Sequence, residues 1–166
     1  MEKLIILSLI TFGSIFNSFA QATASATASA TIVNPITISK IEDMNFGNIE
    51  SNSSSNAIVL TPSGSRSSTN GIILPHVTGL VSAASFKILG SGSYTFAITL
   101  PSSALILTSG ENSMVVDEFT SNPSGKGTLS AGTQTINVGA TLHIIELQPS
   151  GFYQSVSPFE VTINYN

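Results

Sequence analysis

Residues 134–144 read QTINVGATLHI, and their alternation decides the fold class. Every second residue is apolar, and the residues between are polar or glycine. The apolar positions are Ile136, Val138, Ala140, Leu142 and Ile144. A period of two places these side chains on one face of a β-strand, whereas a helix requires a period near 3.6. The stretch therefore predicts a strand with one face on a core and the other in water.

The same alternation returns at the end of the chain and in its middle. The last residues predict a strand whose core face is Phe159, Val161, Ile163 and Tyr165 and whose outer face is Glu160, Thr162, Asn164 and Asn166. Two further alternating sets are Tyr94, Phe96, Ile98 and Leu100, and Ala84, Phe86 and Ile88. These segments predict half-buried strands as well.

Shorter apolar runs separated by turn residues complete the pattern. The runs cover residues 46–49, 57–60, 72–74, 104–107 and 114–119. The turn residues lie at 62–64, 70–71, 90–92, 109–110, 122–125 and 149–151. Nine or ten strands at this spacing predict one all-β domain over residues 32–166, an antiparallel sandwich or barrel.

Residues 1–20 predict a cleaved secretory signal peptide. Lys3 precedes an apolar run from Leu4 to Ile15, and small residues stand at the −3 and −1 positions of a cleavage site after Ala20. Cleavage after Ala22 is the second choice. A transmembrane anchor is the alternative, but the run is shorter than the roughly 20 residues that spanning takes. We therefore expect export by a bacterial pathway and no membrane span after cleavage.

Residues 21–31 form an Ala/Thr/Ser-rich arm with a strict period of two. One parity holds Ala22, Ala24, Ala26, Ala28, Ala30 and Ile32, and the other holds Thr and Ser. Two interpretations stay open. Residues 21–38 form the first strand of the chain's own sandwich, or the arm is an assembly strand that is donated to another subunit.

The composition excludes several classes of function. Only 8% of the residues are charged, the formal net charge is −4, and there is no Cys. A basic surface for nucleic acid is missing, as are thiolate metal sites and cysteine nucleophiles. Ser and Thr make up 41 of residues 21–166, which is typical of exported surface β-proteins. The hydrophobic fraction of 42% argues against disorder.

Candidate catalytic groups are few. The two histidines, His76 and His143, lie in a loop and on the polar face of a strand, without a Gly-x-Ser-x-Gly motif. The acidic doublets 42–43 and 117–118 place neighbouring carboxylates on opposite faces of a strand, and neither offers enough ligands for Ca²⁺. We expect no catalytic residue, no metal site and no cofactor.

Two other kinds of side chain have alternative roles. Arg66, which lies in a polar loop, is either solvated or paired with an acid that holds the loop down. Tyr94, Tyr153 and Tyr165 either line a glycan-binding surface or pack in the core, and core packing is favoured for Tyr94 and Tyr165.

Five segments together carry a family resemblance. They are ATIVNPI at 30–36, MNFGNI at 44–49, PSGSR at 62–66, the stretch 119–142, and FEVTINYN at 159–166. In their order they resemble a secreted bacterial family, domain of unknown function 4402, which assigns no catalytic residues. The layout is also similar to spore-coat-U-like and chaperone–usher pilus subunits. Those subunits imply an immunoglobulin-like sandwich and assembly by β-strand addition, although their disulfide is missing here and Gly151 lies farther from the end than their glycine.

The sequence thus predicts a non-catalytic, fimbrial-like structural or adhesive protein in the periplasm, at the cell surface or outside the cell. Its expected partners are itself or another surface subunit, bound through sheet edges. The alternative is a soluble β-sandwich module that binds a glycan or another ligand.

Overall fold

A computed structural model describes residues 21–51, 54–69 and 77–166 of the chain. Over these residues the protein is all-β and antiparallel, with eleven strands and no helix. The strands are β1 (Thr37–Glu42), β2 (Asn56–Leu60), β3 (Arg66–Ser68), β4 (Ala84–Leu89), β5 (Thr95–Thr99), β6 (Leu105–Ser109), β7 (Asn112–Asn122), β8 (Lys126–Thr128), β9 (Thr133–Ile144), β10 (Gln154–Ser155) and β11 (Thr162–Tyr165). The predicted all-β antiparallel sandwich is confirmed.

Strand β9 pairs with three other strands and joins the two halves of the larger sheet. One of its edges pairs with β7. The other edge pairs with β4 over residues 133–138 and with β2 over residues 140–144. The larger sheet has the order β1-β4-β9-β7-β6-β10, and the β2–β3 pair joins it at β9. The smaller sheet has the order β11-β5-β8.

Gly139 lies where β9 changes partner from β4 to β2. A Cβ atom added there would stand 2.1 Å from the carbonyl oxygen of Leu60 and 2.8 Å from the nitrogen of Pro62. Both contacts are with backbone, which cannot rotate away as a side chain can. The absence of a side chain at this position therefore allows the end of β2 to approach β9 closely.

Two apolar cores lie on the inner face of the larger sheet. The first core contains Phe46, Ile58, Leu60, Val116, Ala140, Leu142 and Ile144. The second core lies between the two sheets and contains Ile88, Phe96, Ile98, Leu129, Ile136 and Ile163. No residue of the smaller sheet belongs to the first core as the structure describes it. Loop residues, including Met44, Ile49 and Val81, pack against it instead.

The core face predicted for β9 is confirmed, whereas Gly139 and Thr141 of its predicted outer face are buried as well. Its five predicted core positions, from Ile136 to Ile144, are at most 3% exposed. The mid-chain strands β4 and β5 and the runs that became β2, β6 and β7 also form where they were predicted. In the last segment, pairing is confined to β11, where Ile163 is buried. Val161 and Tyr165 pack against the second core, and the ring of Phe159 contacts Phe86 and Phe119.

Other predictions need correction. Residues 46–49 form no strand, because their apolar side chains cover the first core from a loop. The short strands β3, β8 and β10 were not predicted. Tyr94 is 46% exposed, because it precedes β5 and lies against the ring of Tyr165 rather than inside the core. The predicted run at 72–74, the turn at 70–71 and His76 lie outside the described residues.

The arm and the domain are separate units. The compact unit spans Val33–Asn166, and the preceding unit ends at Ile32. Residues 21–36 belong to no strand, and residues 21–32 are exposed throughout. In the described residues strand pairing starts at Thr37, and both interpretations of the arm stay predictions. The predicted signal peptide, residues 1–20, lies outside the described residues.

We expect Gly139→Ala to lower the free energy of unfolding by roughly 1–3 kcal/mol, because the added methyl group overlaps backbone atoms of β2. Urea denaturation followed by circular dichroism measures the change. Thr135→Val, at an exposed position of the same strand, is the matched control and should change stability by less than about 0.5 kcal/mol. Equal stability of the alanine variant and the wild type would contradict the close approach.

Candidate functional site

A cavity of about 1250 Å³ opens over the first core. Its floor is the inner face of β6, β7 and β9, where the side chains are Leu105, Leu107, Met114, Val116, Leu142 and Ile144. Its walls are two segments without long strands, residues 42–51 and 148–159. Ligand pockets commonly measure about 300–1000 Å³. This space is therefore larger than a typical small-molecule pocket, and its floor is apolar.

Arg66 holds the first wall in place. Its Nη1 atom donates hydrogen bonds to the carbonyl oxygens of Phe46 and Asn48, the latter at 2.7 Å. Burial lowers the pKa of this guanidinium below its usual value, although an arginine stays charged at any physiological pH. Of the two roles considered for Arg66, solvation or pairing with an acid, the described contacts show neither for Nη1, whose hydrogen bonds go to main-chain carbonyls.

The same wall is fixed from its other side. Asn45 and Ser82 form a two-way backbone bridge, with N–O distances of 2.8 and 3.0 Å. The amide of Asn48 donates to the carbonyl oxygen of Thr78 at 2.7 Å. Gly47, with φ of +70°, lies between these contacts, and a Cβ there would stand 2.3 Å from the Thr78 carbonyl oxygen. Two sequence segments, 44–49 and 62–66, thus meet at one guanidinium.

The second wall is held by Gln148, which is only 5% exposed. Its Nε2 donates to the carbonyl oxygen of Ser113 at 3.3 Å and to the Tyr153 hydroxyl at 2.8 Å. That hydroxyl in turn donates to the carbonyl oxygen of Pro149. Both groups facing Nε2 are acceptors, which fixes the orientation of the amide. Its Oε1 is buried and has no partner among the described residues.

Tyr165 joins the end of the domain to its beginning. Its hydroxyl accepts a hydrogen bond from the Ser91 amide at 2.7 Å and donates one to the Asn34 carbonyl oxygen at 3.0 Å. The Asn34 amide donates to the Ser91 Oγ at 2.7 Å. These three residues form a closed set of contacts at the point where the arm meets the domain. Both Tyr165 and Tyr153 therefore have a structural use for their hydroxyl groups.

Among the described residues, two of the candidate catalytic side chains, His143 and Asp117, form a pair on the opposite face of the larger sheet. The Nε2 of His143 lies 2.7 Å from the Oδ1 of Asp117, and both side chains are partly exposed. The pairing of β7 with β9 brings them together, across an irregularity between Asp117 and Thr120. Asp43 is bound by Lys40 at 2.8 Å. In the described residues no group of three His, Asp or Glu side chains could hold a metal ion.

We expect Arg66→Met to destabilise the protein by about 2 kcal/mol, since hydrogen bonds from a charged donor are worth roughly 1.5–3 kcal/mol. Amide hydrogen exchange should increase first in residues 44–51, because the wall loses its anchor. Lys87→Met removes an exposed cation from β4 and is the control that should leave exchange in this wall unchanged. A loss of stability without faster exchange in residues 44–51 would contradict the anchoring role.

The comparisons with known proteins give one family match. The family model of the Domain of unknown function (DUF4402) matches residues 36–165, which include all eleven described strands. No curated protein and no solved structure matches the chain. In the part of the chain that the structure describes, there is no helix with the length and hydrophobicity needed to span a membrane. Because the match covers most of its length, the chain belongs to the family of the Domain of unknown function (DUF4402).

Proposed function

We propose that this protein is a non-catalytic structural or adhesive protein of the bacterial surface, fimbrial-like, that assembles by β-strand addition. In this proposal residues 21–32 are the donated strand, and a second copy of the chain is the acceptor. Residues 1–20 direct export and are removed. The assembled protein acts through its sheets, and the proposal assigns it no active site.

The observation that carries the proposal is the state of the arm. Residues 21–32 alternate in period two, are exposed and belong to no strand. Main-chain N–H and C=O groups in an extended segment are pairing groups, and adding such a segment to a sheet edge satisfies them. In an extended arm, the Ala residues and Ile32 at even positions form an apolar face, and the Thr and Ser residues at odd positions form a polar face. A half-buried strand requires these two faces.

The composition supports the same function. The arm contains no charged residue, so charge repulsion does not oppose its addition to a sheet. The chain has no cysteine, so backbone ladders and apolar cores must hold any assembly together. The sequence likeness to pilus subunits, whose N-terminal extension adds to the next subunit, also favours this reading. The His143–Asp117 pair is accounted for as a cross-strand contact between β9 and β7.

The proposal is tested with residues 21–166, the chain that remains after cleavage. We expect size exclusion with light scattering to show oligomers whose mass rises with concentration. Ala24→Pro/Ala28→Pro removes two main-chain donors and should give a monomer, because proline cannot pair inside a ladder. Ala24→Val/Ala28→Val is the matched control: it keeps the donors, raises strand propensity and should preserve or increase the oligomer.

Two results would contradict the proposal. The first is a monomer for wild type at every concentration, together with its absence from surface filaments. The second is the same oligomer for the proline and valine variants, which would show that assembly does not use the arm.

The cavity favours a second candidate, a module that binds a glycan or another ligand. Its apolar floor suits an apolar ligand better than a glycan, since two of the three tyrosine hydroxyls are already bound within the protein. Native mass spectrometry of protein purified from the exported fraction tests this candidate. A bound mass that Leu107→Trp displaces would support it, and an unliganded protein would remove its main support.

A further inference from the structure

The two outer edges of the larger sheet are protected differently. Strand β1 forms one edge and carries Lys40 and Glu42, with a break in its register between these two residues. Charged side chains and irregular pairing are the usual means by which a protein keeps an edge from pairing with another chain. Strands β6 and β10 form the other edge and contain no charged residue. That edge lacks the protection that β1 has.

Strand β10 covers the β6 edge only in part. It has two residues: Gln154 lies opposite Thr108, and Ser155 lies opposite Leu107. No described residue pairs with Leu105 or Ile106 on that side. Two-residue strands contribute few backbone hydrogen bonds, so this cover is weak.

The segment that contains β10 is also poorly packed. Phe152 and Val156, on either side of β10, are each 79% exposed. Gln148, at the start of the segment, keeps a buried oxygen without a partner, and leaving a polar atom in that state costs about 1–3 kcal/mol. Leu147 has φ of +51°, a backbone conformation that residues other than glycine rarely adopt. These features all lower the cost of moving the segment away from β6.

The cavity lies directly inside this edge. Leu105 and Leu107 of β6 line its floor, and residues 148–156 form the adjacent wall. A strand that replaced β10 would therefore pair with β6 and place alternate side chains over the apolar floor. The other short edges offer less space: the one beside β8 measures about 410 Å³, and the charged Lys126 lines it. β3 and β8 have three residues each, and the described residues of β11 cover the closed second core.

We propose that the β6 edge is the acceptor, and that residues 21–32 of a second copy pair with Leu105–Ser109 in place of β10. This inference rests on the proposed function, because it names the surface that the donated arm uses. The arm fits the site in three respects. Like the β6 edge, the arm is uncharged, and it is longer than the five residues of β6. In the paired arm, the Ala residues and Ile32 face the cavity, and the Thr and Ser residues face water.

The test locks β10 onto β6. Thr108→Cys/Gln154→Cys places two thiols at opposed positions of an antiparallel pair, where a disulfide can form. The chain has no other cysteine, so the bond is unique and reversible. Ser39→Cys/Lys87→Cys is the matched control, because it places the same bond between β1 and β4 at the protected edge. Each protein is disassembled, oxidised or reduced, and its assembly is then followed by light scattering.

We expect the oxidised Thr108→Cys/Gln154→Cys protein to assemble at least about tenfold more weakly than its reduced form. The control should assemble equally well in both states. In addition, hydrogen exchange should show new protection of residues 105–109 in the assembled wild-type protein. A concentration-independent monomer with residues 105–109 protected in an arm-dependent way would mean that the arm docks on its own chain, and would overturn the second copy as occupant.

The outcomes separate the two proposals. If assembly depends on the arm but is unaffected by the β10–β6 lock, the proposed function stands and the acceptor edge is wrong. If assembly is blocked by the β1–β4 lock instead, the acceptor is the opposite edge. If the wild type does not assemble at all and residues 105–109 gain no protection, the proposed function and the acceptor edge both fail.

Discussion

The structure depends on one strand, β9, which pairs with three other strands. On one edge, the first half of β9 pairs with β4 and the second half pairs with β2. On the other edge, β9 pairs with β7. Because side chains alternate along a strand, the same face of β9 supplies Ile136 to the second core and Ala140, Leu142 and Ile144 to the first. A shift of one residue would turn both sets toward water. The pairing register of β9 therefore determines both cores, because one face of this strand contributes side chains to each of them.

The two cores are covered differently, and the cavity follows from that difference. The smaller sheet closes the second core with its own backbone ladder, as in any two-layer sandwich. The first core is covered by loop segments, which have no ladder and must be held by individual side chains. Hydrogen bonds from Arg66 fix the wall formed by residues 42–51, and hydrogen bonds from Gln148 fix the wall formed by residues 148–159. Each of these side chains leaves one buried polar atom without a partner in the described structure, Nη2 of Arg66 and Oε1 of Gln148. The wall that contains Gln148 also carries two side chains that are 79% exposed, Phe152 and Val156.

The sequence predicted what depends on local periodicity and missed what depends on contacts far along the chain. The alternation in β9 and β5 carries its own signal, so those strands were predictable. β10 has two residues, too few for any period, and it exists only because β6 lies beside it. The run at 46–49 is apolar because it covers a core, and apolarity alone could not separate this role from that of a strand. Likewise, the Arg66 contact with Phe46 spans 20 residues, and the His143–Asp117 pair needs the register of two strands.

Because the chain has few charged residues, its sheet edges decide whether it can pair with other chains. With 8% charged residues, the protein has few side chains that could keep neighbouring chains from pairing with its sheets. Two of them, Lys40 and Glu42, stand on β1, and none stands on β6 or β10. A protein that needed only to stay monomeric would gain from charges at both edges, since either edge alone is enough for association. In the assembly proposed above, the unprotected β6 edge accepts the donated strand of a second copy, and a contact of that kind is head-to-tail.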